Sequence, residues 1–367
     1  MGDRVIVGLS GGVDSAVAAL LLKEQGWEVQ GLFMSNWEED DDGYCTAAQD
    51  FQDARAVARE LAIPLHRASF AAAYRERVFQ HFLAEHRAGR TPNPDVLCNR
   101  EIKFGVALRH ARRLGATRFA TGHYARILPG SAGAQLHKAR DAAKDQSYFL
   151  HAVEMEHLAA TLMPIGELEK GAVRERARQA GLPVFDKPDS TGICFVGERP
   201  FREFLGRYLA DRPGPIESAD GEPLGTHRGL AFHTLGQRAG LQIGGRPGRA
   251  QLPWFVAGKD AARNALIVVQ GHDHPLLLSS ALTTEPMHWL SEARREPFPC
   301  AVKVRYRQAD QPALLEPLPG GGARIVFETP QRAVTPGQYA VVFEGERCLG
   351  GAVIESVEPI ASRRHAA

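Results

Sequence analysis

Three stretches carry residue types whose spacing could do chemistry. The first, Gly8-Leu9-Ser10-Gly11-Gly12-Val13-Asp14-Ser15, sets glycines, two hydroxyls and a carboxylate between the apolar run Val5-Ile6-Val7 and a helical pattern starting near Ala16. Glycine permits backbone conformations that a β-carbon forbids and lets a ligand approach the main chain. A helix beginning just past such a loop offers unpaired amides and a positive dipole end, which together hold phosphate. Asp14-Ser15 stands where a Walker A loop would end in Gly-Lys-Ser/Thr, and the spacing is not the Gly-x-Gly-x-x-Gly dinucleotide fingerprint. A turn that merely joins strand to helix is the alternative. The serines, glycines and aspartate together favour a phosphate-binding loop.

The second stretch is Thr91-Pro92-Asn93-Pro94-Asp95-Val96-Leu97-Cys98-Asn99-Arg100, ahead of a helix expected from about Glu101. Two prolines stiffen the approach and Asp95 is a natural N-cap, which places Cys98 in the first turn on the same side. A helix N-terminus lowers a thiol pKa, whereas a close carboxylate opposes that shift. Asp95 therefore reads as a proton carrier. A buried core cysteine is the ordinary alternative, but a capped, proline-stiffened helix start is poor core material. The third stretch is Lys187-Pro188-Asp189-Ser190-Thr191-Gly192-Ile193-Cys194-Phe195-Val196-Gly197, a loop bringing a cysteine to a surface. Packing of Cys194 between Ile193 and Phe195 fits the local pattern equally well. Cys45, Cys300 and Cys348 have no comparable setting and are assigned to packing or surface.

The elements that must position these groups alternate. Helical spacing covers Ala16 to Gln25, ended by Gly26, then Ala47 to Leu61 and Phe70 to His86. Buried strands are expected at Val29 to Met34, Ile63 to His66 and Ala116 to Tyr124, the last running into Thr121-Gly122-His123-Tyr124. Such alternation indicates an α/β fold, a parallel sheet with helices on both faces, and in such sheets ligands sit beyond the carboxyl ends of the strands. That geometry gathers the glycine loop, Met34 and Gly122-His123 at one edge. The acidic run Glu38 to Asp42 reads as a solvated loop. From Arg212 to Gly248 glycine and proline recur, and short strands and turns replace helices. From about Leu276, the stretches Ala301 to Tyr306, Arg324 to Phe327 and Tyr339 to Phe343 suggest a small C-terminal β-barrel. The expected domains are 1–202, 203–275 and 276–367, with a frayed tail at Arg363-Arg364-His365.

Composition bounds the function. The 367 residues are 44% hydrophobic and 24% charged, ordinary for a soluble globular protein. A net charge of +1 gives no global basic field, so an RNA partner must meet local basic groups. No stretch is long and apolar enough to cross a bilayer, and the N-terminus leads directly into a strand with no secretory signal. Five scattered cysteines with no Cys-x-x-Cys pair argue against a zinc knuckle or a disulfide framework. No metal site is expected, and the pattern suits a cytoplasmic enzyme with one or two reactive thiols.

Ser-Gly-Gly-x-Asp-Ser resembles the PP-loop of the ATP pyrophosphatases, which cleave ATP between its α- and β-phosphates and adenylate a substrate oxygen. Taken with Asn-Pro-Asp-x-x-Cys-Asn, Gly-Ile-Cys-Phe and His233-Thr234-Leu235-Gly236-Gln237-Arg238 in this order, the chain resembles the tRNA-specific 2-thiouridylases. The likeness runs nearly the whole chain, through Arg305-Tyr306-Arg307-Gln308 to Pro336-Gly337-Gln338. It implies that Gly8, Leu9, Ser10, Gly11, Gly12, Val13, Asp14, Ser15, Met34 and Gly122 hold ATP, with Mg²⁺ balancing phosphate charge. It implies that Asn93, Pro94 and Asp95 meet the target base, the wobble uridine of tRNAs for Lys, Glu and Gln. Cys194 would carry a persulfide received from a sulfur-donor protein. Cys98 would attack it, releasing sulfide or leaving a Cys98–Cys194 disulfide. His123, Lys144, Asp145, Gln146, Arg305, Tyr306 and Gln338 would touch tRNA. Read from residues alone, Lys144 could be a solvated lysine, Arg305 a barrel-surface charge and His123 a satisfied strand-end histidine. His233 to Arg238 reads locally as a turn with no catalytic role.

Two other readings compete. An amide-forming ligase would keep the loop but need no paired thiols, so blocking Cys98 and Cys194 separates it from sulfur transfer. A nucleotide-sensing RNA-binding protein would release no pyrophosphate.

Overall fold

The computed structural model describes residues 3–37, 47–131, 133–189, 201–244 and 252–360. The acidic run, Cys45, Cys194 and the C-terminal tail lie outside the described residues.

The first seven strands are β1 (Arg4–Gly8), β2 (Glu28–Ser35), β3 (Leu65–Ser69), β4 (Arg118–Ala120), β5 (Ala125–Gly130), β6 (Gly133–Lys138) and β7 (Thr161–Leu162). Five of them form a parallel sheet in the order β3-β2-β1-β4-β7. Val5, Ile6 and Val7 are wholly buried because β1 is the middle strand and both its faces are covered. Alternate side chains go to opposite faces. Val5 and Val7 pack with Ala16, Val17 and Leu20 of the helix Val13–Glu24 and with Val173 and Ala177 of the helix Lys170–Gln179. Ile6 packs on the other face with Val78, Phe82, Cys98 and Ile102, from helical stretches 71–87 and 94–113.

Three strands differ from expectation: the one expected at Ala301 to Tyr306 lies at Phe298–Lys303, because 304–307 bend away, and β3 and β4 are also shifted. Strand β3 begins at Leu65 rather than Ile63, two residues late. Strand β4 ends at Ala120, because Gly122 leaves the sheet to press on the helix that follows the glycine loop. A hairpin, β5–β6, was not expected at all. It extends the C-terminal sheet instead of the parallel one, through the pairing of His137 with Arg347.

The middle region holds β8 (Gly214–Ser218), β9 (Pro223–His227), β10 (Trp254–Asp260) and β11 (Ala265–Gln270) in a mixed sheet ordered β10-β11-β8-β9. The C-terminal strands are β12 (Leu278–Thr284), β13 (His288–Trp289), β14 (Phe298–Lys303), β15 (Gln311–Pro317), β16 (Ala323–Arg332), β17 (Tyr339–Glu344) and β18 (Arg347–Pro359). Six of these, β12-β16-β15-β14-β17-β18, run antiparallel, and the β12–β18 pairing closes them into a barrel. Closure removes the exposed edges that an open sheet would present. The α/β fold with a mixed central unit and a C-terminal barrel is thus as the sequence suggested. Among the described residues no helix is long and apolar enough to cross a membrane.

Candidate active site

The glycine loop leaves the carboxyl end of β1 and enters the helix Val13–Glu24, with Gly12 at the N-cap. Its two serines brace it from within. Ser15 Oγ accepts from Ser10 N at 3.1 Å and donates to Gly12 O at 3.1 Å, while Ser10 Oγ accepts from Gly12 N at 3.3 Å. Gly11 has φ +78, and a β-carbon there would lie 2.3 Å from Asp50 O, so only glycine fits. Met34 and Gly122 converge on the same edge. A β-carbon on Gly8 would meet Met34 Cε at 3.2 Å, and one on Gly122 would meet Ser15 N at 2.6 Å. The sheet edge, the loop and residue 122 are therefore in direct contact.

Asp14, in the first turn of that helix, is held by charge. Lys170 Nζ donates to both its oxygens, at 2.7 and 2.8 Å, and the Tyr124 hydroxyl donates to Oδ1 at 2.8 Å. Burial, and then the Asp14 charge, push the Tyr124 phenol far above its ordinary range, so it remains a donor. Lys170 also reaches Asp189 at 2.7 Å, and Asp189 is further held by Lys144 at 2.7 Å and Arg174 at 3.1 Å. Burial would raise the Asp189 carboxyl, but hydrogen bonds from Lys144 and Lys170 and their charges overcome it and hold it at about 2. Lys187 donates to Gly11 O at 3.0 Å and pairs with Asp50 and Asp53. Cations thus surround the glycine loop. Of these cations only Lys144 was singled out in the sequence. It is a half-buried ion-pair partner, not a solvated lysine. Lys170 and Arg174 could have been found at i, i+4 at a helix start, and Lys187 and Asp189 beside the Cys194 loop.

The helix bearing Cys98 begins earlier than expected. Asn93, not Asp95, is the N-cap. Its side-chain oxygen accepts from Asp95 N at 3.2 Å, and Pro94 takes the first helical position, where a missing N–H costs nothing. Cys98 consequently lies beyond the first turn. It is also buried, 1% exposed, among Ile6, Leu32 and Phe119 of the sheet, so the expectation that it would be poor core material is corrected. The reason is that the earlier start turns this face of the helix onto the sheet. Burial raises the Asp95 carboxyl, opposed in part by the charge of Lys103, which suits a group that takes up and returns a proton.

Lys103 also approaches His123 Nε2 at 3.5 Å, and His123 Nδ1 meets Thr121 Oγ1 at 2.9 Å. His123 is buried, and burial followed by the Lys103 charge lowers its pKa well below the ordinary value, keeping it neutral. Asp95 and His123 are thus linked electrostatically through one lysine, which sequence spacing did not reveal.

The remaining residues form two groups. Asp145 is buried and accepts from Ala139 N, Ser147 N and Ser147 Oγ, with Lys303 Nζ 3.5 Å away. Gln146 Oε1 accepts from Tyr124 N, and the Tyr306 hydroxyl donates to Lys144 O at 3.4 Å. Asp145 and Gln146 therefore brace the segment that presents Lys144. Arg305 and Gln338 share a cleft of about 480 Å³ with Thr234, Gly236, Gln237 and Thr335. Arg305 is an exposed charge on the barrel, as the sequence allowed, but a tethered one: it donates to Ala333 O at 2.7 Å, and desolvation of its head and the charge of Arg332 lower its pKa. Residues 234–237 of the turn, which was given no catalytic role from the sequence, line this cleft. Cys300 and Cys348 are pushed up to about 12 by burial and stay as thiols.

Residues 3–198 match the family described as tRNA methyl transferase HUP domain, 202–270 its PRC-barrel domain, and 279–354 the aminomethyltransferase beta-barrel domain. The chain is 56% identical over 355 residues to the tRNA-specific 2-thiouridylase MnmA of Tolumonas auensis, covering 96% of each chain. It is 57% identical to that of Stutzerimonas stutzeri, over 97% of this chain and 95% of the relative, and 53% identical to that of Legionella pneumophila, over 97% and 99%.

Proposed function

The chain belongs to the tRNA-specific 2-thiouridylase family, and from that premise we propose how its residues divide the work. ATP lies along Gly8 to Ser15 with Met34 and Gly122 beside it, and adenylates O2 of the wobble uridine in tRNAs for Lys, Glu and Gln. A carbonyl oxygen is a poor leaving group, and adenylation converts it to AMP. Mg²⁺ enters with the triphosphate, whose charge it offsets; among the described residues no group of three His, Cys, Asp or Glu could hold a metal ion.

Asn93, Pro94 and Asp95 meet the uridine. Cys194 arrives as a persulfide loaded by a donor protein. The Cys98 thiolate attacks the Cys194 sulfur, a Cys98–Cys194 disulfide forms, and hydrosulfide leaves. Hydrosulfide then attacks C2 and AMP departs; an external thiol reduces the disulfide. Asp95, with its carboxyl raised by burial, takes the Cys98 proton. Lys144, Arg305, Tyr306 and Gln338 contact the tRNA, and Asp145, Gln146 and His123 act from behind that surface. The work is cytoplasmic, and the three regions divide close to residues 202 and 275.

The observation that carries the reading is the loop itself: a glycine-bounded helix start, with Gly122 pressed against it and Lys170 on its aspartate. The test supplies the full chain with ATP, Mg²⁺, unmodified tRNA and labelled sulfide. AMP, pyrophosphate and labelled 2-thiouridine should appear together. Thiolation without pyrophosphate release would sink the adenylation step, and pyrophosphate release without thiolation would favour another acceptor.

A further inference from the structure

Asp189 holds three cations at once, Lys144 Nζ at 2.7 Å, Lys170 Nζ at 2.7 Å and Arg174 Nη2 at 3.1 Å. One of these, Lys170, bonds the phosphate-loop Asp14 with the same ammonium. The segment that carries Asp189 is laid against the loop on purpose-built contacts. Arg174 donates to the carbonyls of Phe185 and Lys187, each at 3.0 Å, and Lys187 Nζ donates to Gly11 O at 3.0 Å. A carboxylate ringed by two ammoniums and a guanidinium, beside a helix start, occupies the kind of place that a phosphate oxygen would take. A structural ion pair needs one cation. Three on a single half-exposed carboxylate exceed that need.

We propose that Asp189 is a resident anion that fills the pyrophosphate end of the nucleotide site when it is empty, and exchanges places with the β- and γ-phosphates when ATP binds. The exchange rests on the nucleotide reading given above. It is a competition for the same donors, with no bond made or broken covalently. The triphosphate gains Lys144, Lys170 and Arg174 only as Asp189 gives them up. Once pyrophosphate is cut from AMP, the carboxylate competes for them again and speeds its departure. The cations are thereby kept from pairing with one another's repulsion unrelieved, and product does not stay bound as tightly as three cations alone would hold it.

The experiment titrates the full chain with inorganic pyrophosphate by calorimetry. Asp189→Asn keeps the shape and removes the competing charge, so pyrophosphate should bind about tenfold tighter than to the unaltered protein. Lys170→Met should bind at least about tenfold weaker. Glu169→Gln removes an exposed charge next to Lys170, and should change affinity by less than about twofold, which separates direct competition from the general field. Unchanged or weaker binding by Asp189→Asn, with Lys170→Met still weakened, overturns the exchange and leaves the nucleotide reading standing. So does an equal gain in Glu169→Gln. Binding unaffected by Lys170→Met, or absent in every form, overturns the nucleotide reading itself. Asp189→Ser repeats the measurement if the asparagine variant does not fold.

Discussion

Gly122→Ala adds one methyl group where residue 122 presses on the start of the helix that follows the glycine loop. Its β-carbon would lie 2.6 Å from Ser15 N, 2.7 Å from Asp14 C and 2.9 Å from Asp14 O. All three atoms are backbone, so no side chain can swing aside. Ordinary contact needs about 3.5–4.0 Å, so residue 122 and the helix start must part by roughly 1 Å. Overpacking of this kind costs about 1–3 kcal/mol of stability. Misplacing a catalytic group by about 1 Å costs on the order of a hundredfold in rate. The variant should therefore fold, unfold a few degrees lower, and lose about a hundredfold in kcat/KM for tRNA-dependent pyrophosphate release. Gly171→Ala is the control: a β-carbon there meets nothing within 4 Å, in the helix Lys170–Gln179. It should gain about 0.5–1 kcal/mol and leave turnover alone. Full pyrophosphate release by folded Gly122→Ala would refute the placement of ATP at this edge.

Acid should weaken the fold through His86 and His151, both buried and each lowered by burial to about 4. The unfolded chain binds a proton near pH 6.5 and the folded chain does not, so stability is complete above 6.5 and falls toward pH 4, by up to about 3 kcal/mol per histidine. Urea unfolding of His86→Asn, which keeps a donor for Ala231 O, should show a shallower loss over that range; an unaltered slope would remove His86 from the account. Arg305→Ala should weaken tRNA binding and reduce the salt slope by about one; a slope equal to that of the unaltered protein would move the RNA surface elsewhere. Cys194→Ser should form adenylated tRNA but no transferable persulfide, and Cys98→Ser should load sulfur on Cys194 yet fail to thiolate. Thiolation by Cys194→Ser, with label on Cys98, would reverse the two roles.

The parallel sheet was legible because β1 carries the apolar run Val5-Ile6-Val7, β2 the run Leu32-Phe33-Met34, and glycine or proline punctuates the helices between the strands. The barrel was legible from short strands at even spacing. What escaped was set by distant partners. The hairpin β5–β6 lies in the stretch that follows the parallel sheet's β4, but its outer pairing is with a strand some 200 residues later. The capping error had a local cause: Asn93 and Asp95 both cap well, and Pro94 at the first helical position decides for Asn93. Cys98 looked like poor core material because the cap was placed two residues late, at Asp95, which set it in the first turn. Lys170, Arg174 and Asp189 carry no motif of their own. Their ion pairs join residues 14, 144, 170, 174 and 189, a pattern visible only after folding.

The loop that presents Asn93 to Asp95 is held by all three regions of the chain. Thr91 N donates to Pro336 O at 3.1 Å, Gln338 Nε2 donates to Thr91 O at 2.7 Å, and Thr91 Oγ1 meets Thr234 Oγ1 at 3.3 Å. Gly337, at φ +91, comes so close that a β-carbon would lie 2.9 Å from Thr91 N. Just before Thr91 in the chain, Lys259 donates to Gly89 O at 2.8 Å and His86, near the end of the preceding helix, meets Ala231 O at 3.1 Å. Each such bond contributes only about 1 kcal/mol, but they act on adjacent residues and share one loop, so loosening any of them moves Asn93 and Asp95 together. Arg305 and Gln338 line the cleft next to Thr234. A tRNA phosphate drawn into that cleft, as proposed above, would pull on Thr91, which anchors the segment proposed to meet the base. Under the function proposed above, RNA docking on the barrel and alignment of the uridine with Asp95 would be one mechanical event, which gives the barrel and middle sheet a part in a reaction whose proposed nucleotide site lies at the first sheet.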